Sequence, residues 1–183
     1  MILLSVDPGL RGCGLSLWEG AELIRAAYVE NSEREDSGPL AARSMALAVS
    51  AWCAGTLPLQ AVDALILEFP TVYGGRASRG DARDLFPLAA VDGAIAMAFP
   101  EASVSHVEPH DWKGSVKKPK RASDTYAIAA RVVERLGADE RARVEWPKSA
   151  KLRMDVADAV GVGLHRLGRF ERLRVIHRRS DVT

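Results

Sequence analysis

Apolar runs and polar breaks along the start of the chain predict three consecutive strands. Residues 2–6 (ILLSV) form an apolar run that ends at a lone carboxylate, Asp7. A Pro-Gly pair follows, and residues 13–18 (CGLSLW) and 22–30 (ELIRAAYVE) supply two more strand-like segments. Because glycine and proline between apolar runs are typical of turns, the pattern predicts an antiparallel meander with an acid at the tip of its first strand.

The rest of the chain alternates between helical and extended patterns. Helices are predicted over residues 40–54, 81–98, 123–136 and 152–167, and strands over residues 62–68 and 103–107. This order predicts an α/β fold with a mixed five-stranded sheet, made of a three-stranded antiparallel meander plus two parallel strands and flanked by helices. The length fits one domain over residues 1–168 and a basic C-terminal tail over residues 169–183.

Four acidic side chains fall where such a fold would bring them together. Asp7 ends the first strand and Glu68 ends the fourth, and sites form at the carboxyl ends of parallel strands. Asp155 and Asp158 lie three residues apart on the last predicted helix, so they share one face among small apolar residues. The alternatives are a turn cap for Asp7 and an exposed acid in the first helical turn for Asp155.

The chemistry of these four side chains indicates a metal site. Carboxylate oxygens without histidine or cysteine at ligand spacing are the donors that hard cations prefer. We therefore expect the acids to bind Mg²⁺, with Mn²⁺ able to replace it. Two such ions about 3.5–4 Å apart make the two-metal site used for phosphodiester hydrolysis, so we expect two ions per active site.

The net charge of +1 is unevenly distributed along the 183 residues. Residues 1–100 carry a charge of −5 and residues 101–183 carry +6. A basic half favours an anionic partner, although a solvated charged surface is the alternative. An acidic metal site together with a basic second half indicates a nuclease.

Cysteine content and hydropathy exclude other classes of protein. Cys13 and Cys53 are too few for a disulfide framework, and we expect both to be reduced, buried thiols of a cytoplasmic protein. No apolar run approaches the roughly 20 residues that a membrane helix needs, and no signal-peptide pattern is present, so no membrane association is expected.

The segments that carry the acids resemble a known family. ILLSVDPGLRGCG (2–14), LILEF (65–69) and DVADAVGVGLH (155–165) resemble the opening strand and turn, the second acidic strand and the final helix of the RuvC family of Holliday-junction resolvases. The resemblance implies an RNase H-like fold and a Mg²⁺-dependent endodeoxyribonuclease of the crossover-junction type. It also implies a homodimer that nicks a four-way junction symmetrically. The loop FPTVYGGRASRG (69–80) departs from the bacterial pattern and suits a divergent, bacteriophage-type member.

Basic and aromatic residues in two loops are candidates for contact with branched DNA. Lys113 matches the family pattern beside Trp112, and we expect Phe69 to pack in the core. The predicted DNA-binding residues are Tyr73, Arg76, Lys113, Lys117, Lys118, Lys120 and Arg121.

The helix over residues 85–99 (LFPLAAVDGAIAMAF) predicts the dimer interface. Its apolar residues cover more than one face, which exceeds what packing on a sheet requires, and Ala94 and Met97 share one of those faces. The alternative is that both faces are buried within one chain.

Other functions fit part of the same pattern. A broader branched-DNA or RNA–DNA hybrid nuclease of the same fold is the nearest alternative, followed by a non-catalytic junction-binding protein. An actin-like ATPase also opens with an acid-tipped strand and hairpin, but 183 residues are too few for its duplicated domain.

Overall fold

The computed structural model describes residues 1–33, 38–69, 82–113 and 127–170. Within these residues one mixed sheet has the strand order β5-β4-β1-β2-β3-β6. The strands are β1 Ile2–Asp7, β2 Gly12–Glu19, β3 Glu22–Glu30, β4 Ala64–Glu68, β5 Ser103–Val107 and β6 Val144–Glu145. Strands β1 to β3 form the predicted antiparallel meander, and β4 is parallel to both β1 and β5.

In the part of the chain that the structure describes, the sheet contains one strand more than the five predicted. Strand β6 covers only Val144–Glu145 and pairs in parallel with β3 through Ala26 and Ala27. Two residues are too few to show the alternation that identifies a strand in a sequence, so this strand could not be predicted.

The helices flank both faces of the sheet. They are α1 Pro39–Ala54, α2 Ala82–Ala98, α3 Pro109–Trp112, α4 Ala127–Arg135, α5 Ala138–Ala142 and α6 Ala150–Arg166. The four predicted long helices are present, although the predicted start of one of them at Ser123 lies outside the described residues. Pro87 lies inside α2.

The period of two along each strand divides the core between the two faces. Leu4 and Val6 of β1 point towards α1 and α2, in a cluster that includes Met45, Val49 and Ile95. Leu3, which precedes Leu4, belongs to the opposite cluster, which is built with residues of α3, α4 and α6. The molecule therefore has three layers, with α1 and α2 on one side of the sheet and α4 and α6 on the other.

The described residues also bear on the predicted tail, thiols and membrane segments. Arg169 and Phe170 pack against the domain, whereas residues 171–183 lie outside the described residues, so the division at residue 168 stays a prediction.

Cys13 and Cys53 are free and buried, as predicted. Burial raises the pKa of the Cys13 thiol to about 12. No helix in the described parts of the chain is long and apolar enough to cross a membrane.

Candidate active site

The parallel pairing of β1 with β4 brings two acidic strand ends together. Val6 is level with Leu67, so Asp7 and Glu68 follow at the same edge of the sheet. Glu68 is 8% exposed, and β5 covers its outer side by pairing Val107 with it. Sequence analysis required these two strands to be parallel neighbours for the two acids to meet, and the structure has this pairing.

Close helix packing brings the other two acids to the same edge. Helix α6 lies across β1 and β2, and the carbonyl oxygen of Asp155 occupies the place where a Cβ atom at Gly14 would stand. Further along α6, Gly161 contacts the ring of Trp112 and Gly163 contacts that of Trp18, each closely enough to leave no room for a Cβ atom. Glycine at these positions lets α6 lie directly on the sheet, with Asp155 and Asp158 at the end where β1 and β4 terminate.

A buried polar cluster ties α6 to the sheet. The hydroxyl of Ser16 donates to the carbonyl oxygen of Ala159 at 3.0 Å, and Trp18 Nε1 donates to Ser16 Oγ at 2.9 Å. Ser5 Oγ lies 2.6 Å from Ser16 Oγ. Ala159 is the neighbour of Asp158, so this cluster sets the height of that acid above the sheet. Sequence analysis did not predict this cluster. One indication of it is that Ser5 and Ser16 lie opposite each other in the β1–β2 hairpin.

The electrostatics of Asp7 show that all four acids converge. Burial raises the pKa of Asp7 well above its usual value, and the negative charges of Glu68, Asp158 and Asp155 raise it further. The charge of Lys113 acts in the opposite direction. Because a carboxylate so placed is costly to keep ionised, the cluster favours a bound cation or a bound proton.

A lysine lies inside the acidic cluster. Lys113 Nζ is 2.8 Å from Glu68 Oε1 and 2.7 Å from Asp158 Oδ2, and it lies 4.9 Å from the centre of the Trp112 ring. Trp112 Nε1 also donates to Glu68 Oε2 at 3.2 Å, an interaction that sequence analysis did not find. Burial raises the pKa of Glu68, while Lys113 lowers it. We predicted that Lys113 contacts DNA, which stays a prediction, but the structure places it against two of the acids.

The donor chemistry of the site fits a hard divalent cation, since all four candidate ligands are carboxylates. The ammonium of Lys113 between Glu68 and Asp158 shows that a cation is stabilised there. Within the described residues, however, no three histidine, cysteine or acidic side chains stand close enough to share one ion. The residues fit a hard cation by their chemistry, and binding one would require these side chains to rearrange.

The prediction for Phe69 can be compared with the structure, whereas the remaining predicted DNA contacts lie outside the described residues. Phe69 is 42% exposed and its ring lies edge-on to that of His106 at 5.2 Å, so our expectation of core packing was wrong. Its ring contacts a side chain of the exposed strand β5 instead of the core. The predicted DNA contacts outside the described residues are Tyr73, Arg76, Lys117, Lys118, Lys120 and Arg121.

Two solved structures of RuvC have a fold similar to that of this chain. Thermus thermophilus RuvC is 21% identical over 94% of this chain and 100% of that chain, with a TM-score of 0.54. The same protein in complex with Holliday junction substrate is 17% identical over the same shares, with a TM-score of 0.51. The fowlpox virus Holliday junction resolvase is 15% identical over 92% of this chain and 99% of that chain, with a TM-score of 0.48.

The two Thermus structures confirm the RuvC-like, RNase H-like fold that the sequence predicted. Comparison with protein-family models gave no match, and neither did a search of curated proteins.

Proposed function

We propose that this chain is a metal-dependent, structure-selective DNA endonuclease that resolves four-way junctions by symmetric paired nicking. The observation that carries the proposal is the convergence of Asp7, Glu68, Asp155 and Asp158 at one edge of a RuvC-like sheet. A similar structure was determined in complex with Holliday junction substrate, which supports branched DNA as the substrate. A cytoplasmic location is part of the same proposal.

The four acids would hold Mg²⁺ or Mn²⁺, two ions to a site. When bound, the ions supply activation of a water molecule and stabilisation of the leaving oxygen. The chain itself contributes orientation, because Trp112 holds one oxygen of Glu68 and the cluster around Ser16 fixes the turn of α6 that carries Asp158. Glu68 is 8% exposed and Asp7 is half-buried, so both charges are partly shielded from bulk water and their electrostatic interactions are stronger than in water.

The basic loop after α3 would bind the DNA backbone. Lysine and arginine contacts to phosphate give affinity without reading sequence, so junction binding should weaken steeply as salt rises. Tyr73 would stack on an exposed base beside Arg76. The proposed phosphate contacts in the loop are Lys113, Lys117, Lys118, Lys120 and Arg121.

A four-way junction offers two equivalent strands, so we propose that two copies of the chain act together through α2. Its outer face exposes Phe86 and Met97, at 75% and 81%. Ala94 is only half-buried beside them. Met97→Glu should give a monomer in light scattering, whereas Ala130→Glu on α4 should leave the dimer intact. A monomeric wild-type protein that still nicks in pairs would refute this interface.

A non-catalytic junction-binding protein is the second candidate. The observation that favours it is the ion pairing of Lys113 with Glu68 and Asp158, which neutralises two of the acids without any metal. A protein of this class would bind junctions in Mg²⁺ and leave them intact.

Cleavage of a set of branched substrates tests the proposal. A mobile four-way junction, a fork, a flap and an RNA–DNA hybrid are each incubated at equal concentration with Mg²⁺, Mn²⁺ or EDTA. We expect paired, symmetric nicks in the junction with either metal and none in EDTA. Equal cleavage of all four substrates would identify the broader nuclease, and binding without cleavage in either metal would identify the non-catalytic protein.

A further inference from the structure

The ammonium of Lys113 is held as a cation by two acids from different elements. Its distances of 2.8 Å to Glu68 Oε1 and 2.7 Å to Asp158 Oδ2 are those of charge-assisted hydrogen bonds. The three side chains are largely buried, with 16%, 9% and 13% exposure for the lysine, the glutamate and the aspartate. Screening by solvent is therefore weak, and the contact joins the end of α3 to β4 and α6.

The ammonium of Lys113 places a positive charge beside the acids, as a bound metal ion would. Its charge opposes the rise in the pKa of both Asp7 and Glu68 that burial and the neighbouring carboxylates cause. Without a cation, the like charges at this edge of the sheet would repel one another in a poorly solvated place. The ammonium of Lys113 thus balances part of the negative charge at this edge of the sheet.

The same position prevents a metal from joining Glu68 and Asp158. Both oxygens of Glu68 are engaged, Oε1 by Lys113 and Oε2 by the indole of Trp112. A divalent cation placed between the two carboxylates would also meet the charge of the ammonium at close range. Lys113 ends a four-residue helix and has a flexible four-carbon stem, so its side chain can turn away without moving β4 or α6.

We infer that the site loads metal by cation exchange: Lys113 occupies the Glu68–Asp158 pair in the metal-free protein and leaves when a divalent cation binds. The inference rests on the proposed metal site and adds that the metal affinity of the protein is set partly by its own lysine. The exchange also links metal binding to DNA binding, because the ammonium of Lys113 becomes available to a phosphate group only after the metal has entered.

Metal titration of full-length variants tests the exchange without using activity. Mn²⁺ affinity is measured by calorimetry on the wild type, on Lys113→Met and on a control, Lys148→Met, which removes an exposed lysine. We expect Lys113→Met to bind Mn²⁺ at least about tenfold more tightly, because no internal cation competes, and Lys148→Met to match the wild type. In EDTA the Lys113→Met variant should melt at a lower temperature than the wild type, and added Mn²⁺ should raise its Tm more.

A second measurement uses the wild type and so does not depend on the folding of a variant. The side-chain ammonium signal of Lys113 is followed by NMR while Mg²⁺ is added. We expect the signal seen in EDTA, protected by its two ion pairs, to be lost on saturation with Mg²⁺. An unchanged signal at saturation, or equal Mn²⁺ affinity in the wild type and Lys113→Met, would overturn the exchange and leave the metal site standing. Failure of both proteins to bind Mn²⁺ would instead overturn the metal site of the proposed function.

Discussion

Two buried carboxylates on opposite faces of the sheet have very different surroundings. Glu68, on the α6 side, accepts a hydrogen bond from Trp112 and pairs with Lys113. Asp92 of α2, on the other side, is 4% exposed, and neither of its oxygens has a hydrogen-bond partner among the described residues. Burial alone raises the pKa of Asp92 to about 7. Among the described residues, the carboxylate on the α6 face has charged and hydrogen-bonding partners, whereas Asp92 on the α2 face has no hydrogen-bond partner, so its burial costs desolvation energy.

The glycines of α6 and α2 also differ in their surroundings. Gly161 and Gly163 of α6 lie against the rings of Trp112 and Trp18, with no room for a Cβ atom. Gly93 of α2 has nothing within 4 Å of the place where its Cβ atom would stand. The α6 face is therefore fitted tightly around the acids, while the outer side of α2 is open.

The largest loss of stability is expected from a larger side chain at Gly163, where α6 packs closely on the sheet. Gly163→Val would force a branched side chain into Trp18 and Ser5, and we expect a loss of about 3 kcal/mol or more in the free energy of unfolding. The matched change Gly93→Ala meets open space and should stabilise by about 0.5–1 kcal/mol, since alanine favours a helix. Urea unfolding of both variants measures this, and equal stability of Gly163→Val and the wild type would contradict the tight fit.

A smaller, pH-dependent effect is expected at Asp92. Its raised pKa means that the folded protein holds a proton there that the unfolded chain releases, so the free energy of unfolding falls as pH rises from about 4 to about 7. Asp92→Asn has no carboxyl group to ionise, so its free energy of unfolding should not fall in this way. We expect the variant to be about 1–3 kcal/mol more stable than the wild type at pH 8 and equally stable at pH 4. Urea unfolding at both pH values measures the difference, and the exposed Glu101→Gln is the control. An advantage of Asp92→Asn that is the same at both pH values would contradict an uncompensated charge.

Sequence reasoning found the acids because strand ends and helix faces can be read locally. Asp7 and Glu68 each follow an apolar run, and Asp155 and Asp158 share a face at a spacing of three residues. Parallel pairing of the two strands then brings the first pair together. The position of the site therefore followed from local patterns and one topological rule.

The partners of the acids could not be predicted in this way. Lys113 lies in a locally basic segment, which indicates DNA, but its ion pairs join it to residues 45 positions away in either direction along the chain. Asp92 stands in a helix whose apolar residues surround it on several sides, so the sequence does not show which face carries the acid. Long-range packing decides both cases.

A still smaller effect is expected at the buried hydroxyl under α6. Ser16→Ala removes the side-chain hydrogen bond to the Ala159 carbonyl oxygen and leaves Trp18 Nε1 with a poorer acceptor, which should cost about 1–2 kcal/mol. Urea unfolding compares this variant with Ser103→Ala, which changes an exposed serine of β5. If the two variants lose the same stability, the cluster does not fix α6.

Junction cleavage by paired carboxylate variants tests the central claim most directly. Asp7→Asn and Glu68→Gln remove candidate metal ligands from the α6 face, and Asp92→Asn removes a buried carboxylate from the other. Cleavage of a four-way junction in Mg²⁺ and binding of the same junction are measured for all three, with folding checked by circular dichroism. We predict that Asp7→Asn and Glu68→Gln bind normally but lose cleavage by about a thousandfold or more, several kcal/mol of transition-state stabilisation, while Asp92→Asn cleaves like the wild type. A folded Asp7→Asn variant that cleaves at the wild-type rate would contradict the account.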